Sequence, residues 1–292
     1  MTELTINDAD FASLAGQSVV VTGGSSGIGL ATTHLLLSIG ASVINGDLAP
    51  PPLEHDNLAF VKTDVTHWAD LKALFARAKD LHGRIDHVFA NAGISGRADY
   101  LEDALDAAGE LLEPATQTFD VNLRGMVNTT YLGMHYMRHQ RLPGGSVVLT
   151  ASASSFQRFR VADYTTAKHG VLGFMRGVVP NLVSRELPIR VNALAPGWTV
   201  TGMVPQAVVE ALGGGQGPEV VARSAVLLMA DKGRQGQLVY SAQGRYWEVE
   251  EGRLLGVGRE IVGGGGDDEA LERLMKTMAE AGVGGEGSLG GS

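Results

Sequence analysis

The 292-residue chain contains no cysteine, which excludes disulfides, a thiolate nucleophile and any metal site built on sulfur. Charged residues make up only 19% of it, with a net charge of -9, and no stripe of Lys and Arg runs along it. A nucleic-acid backbone is therefore not an expected partner. No run of about 18 apolar residues occurs, so no helix is expected to span a membrane. The stretch Met1 to Gly16 lacks a basic region followed by an apolar one, so no secretory signal is expected and the expected location is cytoplasmic. The 8 histidines are scattered, without a His-x3-His pair or a carboxylate cluster, and no metal site is expected.

What is present is a 44% hydrophobic composition, enough for the core of one large α/β domain. Short β-branched or apolar runs read as strands at Ser18–Thr22, Ser42–Gly46, Ala59–Lys62, His87–Ala90, Ser146–Thr150 and Ile189–Ala195, with a seventh at Gln237–Ser241. Between them lie helical patterns at Ile28–Ile39, Phe119–Arg138 and Tyr164–Ser184. A further helix, capped by Thr66, carries Leu71, Leu74, Phe75, Ala78 and Leu81 at helical spacing. Such alternation implies a doubly wound parallel sheet covered on both faces, a three-layer α/β/α single domain over residues 1–262. Residues 263–292 read as a glycine-rich tail with a short helix at 267–281, where Leu271, Leu274, Met275 and Met278 would line one face. A flap or partner-docking role for that helix is the sharper alternative to a loosely attached one.

Ligands in these sheets bind beyond the carboxyl ends of the strands, and the turns at Gly23, Asp47, Asn91, Ser152 and Pro196 all fall there. Thr22-Gly23-Gly24-Ser25-Ser26-Gly27-Ile28-Gly29 stands between a strand and a helix. Glycine there permits a tight turn, close approach of a pyrophosphate and tight packing of helix on strand, the pattern of a Rossmann-type dinucleotide site. A plain glycine turn is the bland alternative in a chain with 40 glycines. The strand-turn-helix placement favours the nucleotide. Asp47 ends the second strand, where an acidic side chain meets ribose hydroxyls and repels a 2′-phosphate. With Leu48 next to it and no Lys or Arg in the glycine turn, NAD is expected over NADP.

With these pieces the sequence resembles the short-chain dehydrogenase/reductase family, in its single-domain branch. The resemblance rests on Thr22 to Gly29, Asp64-Val65, Asn91-Ala92-Gly93, Asn122, Ser152, Tyr164-Thr165-Thr166-Ala167-Lys168 and Pro196-Gly197-Trp198-Thr199-Val200-Thr201. It implies that Gly23, Ser25, Ser26, Gly27, Ile28, Gly29 and Asp47 hold the dinucleotide, with Asp64 and Val65 at the adenine. It also implies that Asn91, Ala92 and Gly93 pass beside the cofactor and steady the sheet, and that Pro196, Gly197, Thr199 and Thr201 fix the carboxamide end. Tyr164 would be the catalytic acid/base, Lys168 would hold the nicotinamide ribose, Ser152 the reacting oxygen, and Asn122 a water in a proton relay. By the same analogy two long helices, Phe119–Arg138 and Tyr164–Ser184, would pair subunits into a homodimer or homotetramer. Two departures stand out. Ser152, Ser154 and Ser155 compete for one role, and Leu238 to Gly244 replaces the family's usual ending.

The chemistry suits an oxidoreductase. Alcohol oxidation needs a base, and a free phenol, with a pKa of about 10, is a poor one near neutrality. A Lys168 ammonium about 4 Å away, at an effective dielectric near 20, supplies at most about 4 kcal/mol, a ceiling of about three pKa units. That is the expected means of activating Tyr164, and the charge of the oxidised nicotinamide would push the same way. Met203, Val204, Val208, Val209 and Leu212, followed by the hinge glycines Gly213–Gly215 and Gly217, suggest an apolar lid. Trp198 and Phe156 suggest apolar walls, while Arg158 and Arg160 leave room for a polar group. The expected substrate is a mainly apolar secondary alcohol or its ketone. An NADP-dependent carbonyl reductase and a non-catalytic dinucleotide sensor are the alternatives.

Overall fold

The computed structural model describes residues 1–204, 206–211, 214–261, 273–274 and 276–278. In chain order they begin with β1 (Thr2–Leu4), β2 (Ser18–Thr22), α1 (Gly27–Ile39), β3 (Ser42–Asp47), β4 (Leu58–Lys62), α2 (Trp68–His82) and β5 (His87–Ala90). Then come α3 (Met126–His139), β6 (Gly145–Thr150), α4 (Ala162–Ser184), β7 (Ile189–Pro196) and α5 (Gln206–Ala211). The series closes with α6 (Pro218–Ala230), β8 (Leu238–Ala242), β9 (Arg245–Glu248) and α7 (Leu255–Ile261).

The strands form one sheet in the order β1-β9-β8-β7-β6-β5-β2-β3-β4. From β4 to β8 every neighbour is parallel. The chain fills one side of β2 with β3 and β4, then crosses to the other with β5, which makes the β2/β5 boundary the switch point of the sheet. Successive side chains of a strand face opposite ways, and the cores divide accordingly. Val20, Ile44, Val88, Val147 and Val191 pack under α2, α3 and α4 through Leu71, Phe75, Met137, Leu172 and Met175. Val19, Val21, Val43, Phe89 and Leu194 pack under α1 and α6 and a 3-10 turn, Asp8–Leu14, through Leu36, Val221, Ala225 and Phe11. These side chains are fully or nearly fully buried, each worth about 1.5–3 kcal/mol over exposure.

The fold is the three-layer α/β/α arrangement expected, with differences at one edge of the sheet and among the helices. The sheet is mostly parallel rather than wholly so, because β9 and β1 continue it antiparallel beyond β8. Gln243 and Gly244, both at positive φ, make the two-residue turn that returns the chain from β8 into β9. Glu3 and Arg245 pair across β1 and β9. α6, opened by Pro218 at its first position, is a helix the sequence reading did not assign. The cap of α2 is His67, without a side-chain cap bond. Thr66 instead turns its hydroxyl to Asp64 Oδ1, 2.7 Å away. The short helix expected at 267–281 lies mostly outside the described residues, of which 273–274 and 276–278 are helical. Among the described residues no helix is long and apolar enough to cross a membrane.

Candidate active site

The glycine turn leaves β2 at the switch point. Gly23 sits at φ 71°, and a Cβ there would meet Ala92 Cα at 2.8 Å, so both backbone sign and space call for glycine. At Gly29 a Cβ would strike the Gly23 carbonyl oxygen and would lie 2.7 Å from Asn91 Nδ2. This is the close approach of helix to strand that the motif requires. The turn is stitched to β3. Gly23 N donates to Gly46 O at 2.8 Å, Gly24 N to Asn45 Oδ1 at 3.0 Å, and Ser25 N to Asp47 Oδ2 at 3.0 Å. Ser26 caps α1 in extended conformation without a side-chain cap bond, and no acidic residue occupies the first turn. A helix start without either is electrostatically suited to an anion.

The other residues of the expected nucleotide site gather round this turn. Asp47, half-buried at the end of β3, accepts from the amides of Ser25 and, through Oδ1, of Leu48. Asn91 donates through Nδ2 to Thr22 O and Gly23 O, each at 3.2 Å, and accepts from Thr150 Oγ1 at 3.2 Å. It thereby ties the glycine turn to the end of β6. Ala92 N reaches Thr22 Oγ1 at 3.4 Å, and a Cβ on Gly93 would lie 3.2 Å from Asn122 Oδ1. Pro196 ends β7, and Gly197 N donates to Ser241 O at 2.8 Å. Thr199, buried, donates to Gly197 O, and the Thr201 methyl faces Gly27, where a Cβ would come within 3.2 Å of it. The loop after β7 thus meets the glycine turn at Gly27. Asp64 and Val65 follow β4. Val65 is buried against Gly125. Burial pushes the Asp64 carboxyl up, but hydrogen bonds from Thr66 and the nearby His67 outweigh it and hold the group below its ordinary value.

Opposite stand the chemical groups. Tyr164 and Lys168 lie one turn apart at the start of α4, and the Lys168 ammonium sits 5.6 Å from the centre of the Tyr164 ring. Lys168 is buried and donates to Thr150 O at 2.6 Å. Burial pulls its pKa down to about 8. Ser152, at the end of β6, is the hydrogen-bond partner of the Tyr164 phenol. The three serines divide the work between them. Ser155 Oγ donates to Lys168 O at 2.7 Å and accepts from Ser152 N at 3.1 Å, so it is a strut under α4. Ser154 Oγ is buried with no hydrogen-bond partner among the described residues. Ser152 alone of the three faces the phenol.

One expectation changes. Burial raises the Tyr164 pKa, and the Ser152 hydrogen bond only offsets part of the rise. The reason is that the phenol is desolvated while the lysine charge lies beneath the ring and is bonded to Thr150. Activation in the nucleotide-free chain is therefore not achieved by Lys168 alone. Asn122 lies in a π turn, Asp120–Gly125. Its carboxamide is engaged at both ends, accepting from Ile94 N and donating to Ile94 O at 2.8 Å each.

Two residues escaped the sequence reading. Asp163 is buried and accepts from Arg97 N at 2.8 Å, Ala98 N at 3.1 Å and Tyr164 N at 2.7 Å. Burial raises its carboxyl, but the donors around it prevail and hold its pKa low. It fixes the loop after β5 to the first turn of α4, and nothing in the sequence marks it. Phe159 lies edge-on to Tyr164, with ring centres 6.3 Å apart, and to Trp198, at 5.7 Å. Of the expected lid, Met203 and Val208 are exposed, while Leu212 and Gly213 lie outside the described residues.

A family model described as short chain dehydrogenase matches residues 17–211. The chain is 48% identical over 287 residues to the short-chain dehydrogenase/reductase ascJ of Acremonium egyptiacum, covering 95% of this chain and 97% of that one. It is 34% identical over 205 residues to 2,5-dichloro-2,5-cyclohexadiene-1,4-diol dehydrogenase of Sphingobium indicum, covering 67% of this chain and 77% of that one. Among solved structures it superposes on levodione reductase with a TM-score of 0.66 and 26% identity, over 79% of this chain and 98% of that one. On aldohexose dehydrogenase of Thermoplasma acidophilum the TM-score is 0.67 at 23% identity, over 79% and 94% of the two chains.

Proposed function

The chain belongs to the short-chain dehydrogenase/reductase family, and from that premise we propose that it is an NAD-dependent oxidoreductase acting on a mainly apolar secondary alcohol or its ketone, with Tyr164 as acid/base. The observation that carries the proposal is the meeting of Ser152, Tyr164 and buried Lys168 at the strand ends, across the sheet crevice from an uncapped glycine turn. The glycine turn fits a dinucleotide, because a side chain at Gly29 would collide with Gly23 and Asn91 and the α1 start carries no competing acid. Gly23 and Ser25 to Gly29 would hold the phosphates, Asp47 the adenosine ribose, Asp64 and Val65 the adenine. Asn91 to Gly93 would flank the cofactor, Lys168 would hold the second ribose, and Pro196, Gly197, Thr199 and Thr201 the carboxamide. A bound nicotinamide accepts a hydride in oxidation and returns it in reduction.

The protein's own groups do the rest. Ser152 orients the substrate oxygen, and Tyr164 Oη takes the hydroxyl proton as the C–H bond gives up its hydride; in reduction the same phenol returns the proton. The raised phenol suits the acid role as it stands, and the base role needs added positive charge beside it, which Lys168 and the oxidised cofactor contribute together. The proposal assigns residues 1–262 to the dehydrogenase domain and 263–292 to a glycine-rich appendage, in a cytoplasmic homodimer or homotetramer paired through α3 and α4.

What supports NAD is the Asp47 carboxylate at the end of β3, bonded to the glycine turn through Ser25 N, which would repel a 2′-phosphate on the adenosine ribose, with Leu48 rather than a basic residue beside it. The test is a comparison of NADH and NADPH affinities by nicotinamide fluorescence, followed by a screen of secondary alcohols at 340 nm. Tighter binding of NADH and NAD-dependent turnover are expected; tighter binding of NADPH overturns the cofactor assignment.

A further inference from the structure

The walls next to the phenol are aromatic, and they are open. Phe159 inclines at 63° to the Tyr164 ring and at 61° to the Trp198 ring, so it bridges the two edge-on. Phe159 is 36% exposed and Trp198 41% exposed, whereas the core rings Phe11, Phe75 and Phe89 are at most 1% exposed. A second group adjoins. Phe156 meets Tyr240 edge-on at 6.1 Å, Tyr240 stacks on Trp247 at 5.6 Å, and the Tyr240 hydroxyl comes within 3.5 Å of a Cβ placed on Gly197, next to Trp198. Two of the chain's three tryptophans therefore lie at this end of the site. Phe159 and Phe156 also line an open depression of about 510 Å3, together with Arg158, Thr165 and His169.

Exposed rings beside a reacting group leave apolar area and π-faces without partners in the free protein. Phe159 meets Tyr164 and Trp198 at steep angles, so the three rings form a stepped, slot-like wall rather than a flat one. A flat ring entering such a slot gains face and edge contacts that a flexible chain of equal carbon count does not make, and it has few torsions to freeze. The depression beyond Phe159 leaves room for a substituent on that ring. We infer that Phe159 and Trp198 determine specificity and select a flat cyclic alcohol or ketone over an open-chain one of the same size. The ring lies against these two side chains, and its oxygen points to Tyr164 and Ser152. The inference rests on the oxidoreductase reading above, and it adds the shape of the substrate.

The test pairs two ten-carbon alcohols, 1-tetralol and 2-decanol, in NAD-dependent assays of the wild type, F159L and W198L. Leucine keeps apolar bulk and removes the ring. At about threefold per aromatic contact, the wild type favours tetralol by about tenfold in kcat/KM. Each variant loses about threefold of that preference, read as a rise in KM for tetralol relative to KM for 2-decanol. A second readout needs no turnover: 1-tetralone quenches tryptophan fluorescence of the NAD complex, and the quenching weakens in F159L and falls furthest in W198L. Quenching with that dependence but no oxidation of either alcohol supports the slot and refutes the hydride chemistry. Equal kcat/KM for the two alcohols, unaltered in both variants, overturns the slot and leaves the oxidoreductase reading standing. Absence of both quenching and turnover overturns both.

Discussion

Replacing Lys168 with methionine should change how stability depends on pH, and by an amount the structure sets. The ammonium is buried, with Thr150 O at 2.6 Å as its hydrogen-bond acceptor, and burial lowers its pKa from about 10.5 to about 8. Below about pH 8 folded and unfolded chains both carry the proton, and the folded state bears the whole cost of burying it. At about 1.36 kcal/mol per pH unit between the two pKa values, that cost is about 3 kcal/mol. Between about pH 8 and about pH 10.5 the unfolded chain binds a proton that the folded chain does not, so wild-type stability rises with pH; above that range the cost is gone. K168M has no such group. Its stability relative to wild type should therefore fall by about 2 kcal/mol as pH goes from about 7 to about 9.5. Loss of the bond to Thr150 O lowers K168M stability by a pH-independent offset of about 1–3 kcal/mol, against the relief of the burial cost, so the slope and not the sign at one pH is diagnostic. Urea unfolding of nucleotide-free protein, followed by tryptophan fluorescence at several pH values, measures it. A difference between the two proteins that stays flat over the interval would refute the reasoning, because it would mean that Lys168 is solvated and titrates as in the unfolded chain.

The three serines separate cleanly. S152A should lose turnover by about 100-fold or more, with a stability loss of about 0.5–2 kcal/mol from its cap on the Ser154 amide. S155A should lose about 1–3 kcal/mol in urea unfolding because the Lys168 carbonyl loses its donor. S154A should be neutral or stabilising, its hydroxyl being buried without a partner among the described residues; an inactive S154A with S152A active would move the assignment. Gly29→Ala should cost about 1–3 kcal/mol by overpacking and abolish NADH binding in a fluorescence titration, since the new methyl displaces the Gly23 carbonyl or Asn91; unchanged binding would count against the turn as the phosphate cradle. His87 is fully buried between Ser146 and Gln17, and burial lowers its pKa to about 3. The unfolded chain protonates first as pH falls, so stability declines from about pH 6.5 downward, and His87→Gln should flatten that decline in acid unfolding curves.

The parallel strands from β2 to β8 were legible because each is a short apolar run that ends at a turn residue. Continuous runs such as Val19-Val20-Val21 suit strands buried on both faces. β1 was not legible, since three residues that open with Thr and Glu carry no period. β9 hid behind an unusual hairpin turn: Gln243-Gly244 lacks the Asn or Asp that announces such turns. α6 has small and apolar residues on most sides, because it is buried against both the sheet and α1, and its pattern lacks a polar face to read. At the site, the glycine turn and the Tyr164/Lys168 pair were plain from spacing. Asp163 and Phe159 were not, since their importance comes from backbone amides and rings that only the folded loop brings to them. The direction of the phenol's shift was missed for a related reason, since spacing reveals neighbours and not the loss of water around them.

The central claim is that the Tyr164 phenol moves the proton while the crevice beside it holds the nucleotide. The most direct test is kcat of Y164F on a secondary alcohol, at NAD concentrations that nicotinamide fluorescence shows to be saturating. Y164F should bind nucleotide as the wild type does and turn over about 100- to 10,000-fold more slowly. Turnover at the wild-type rate would contradict it.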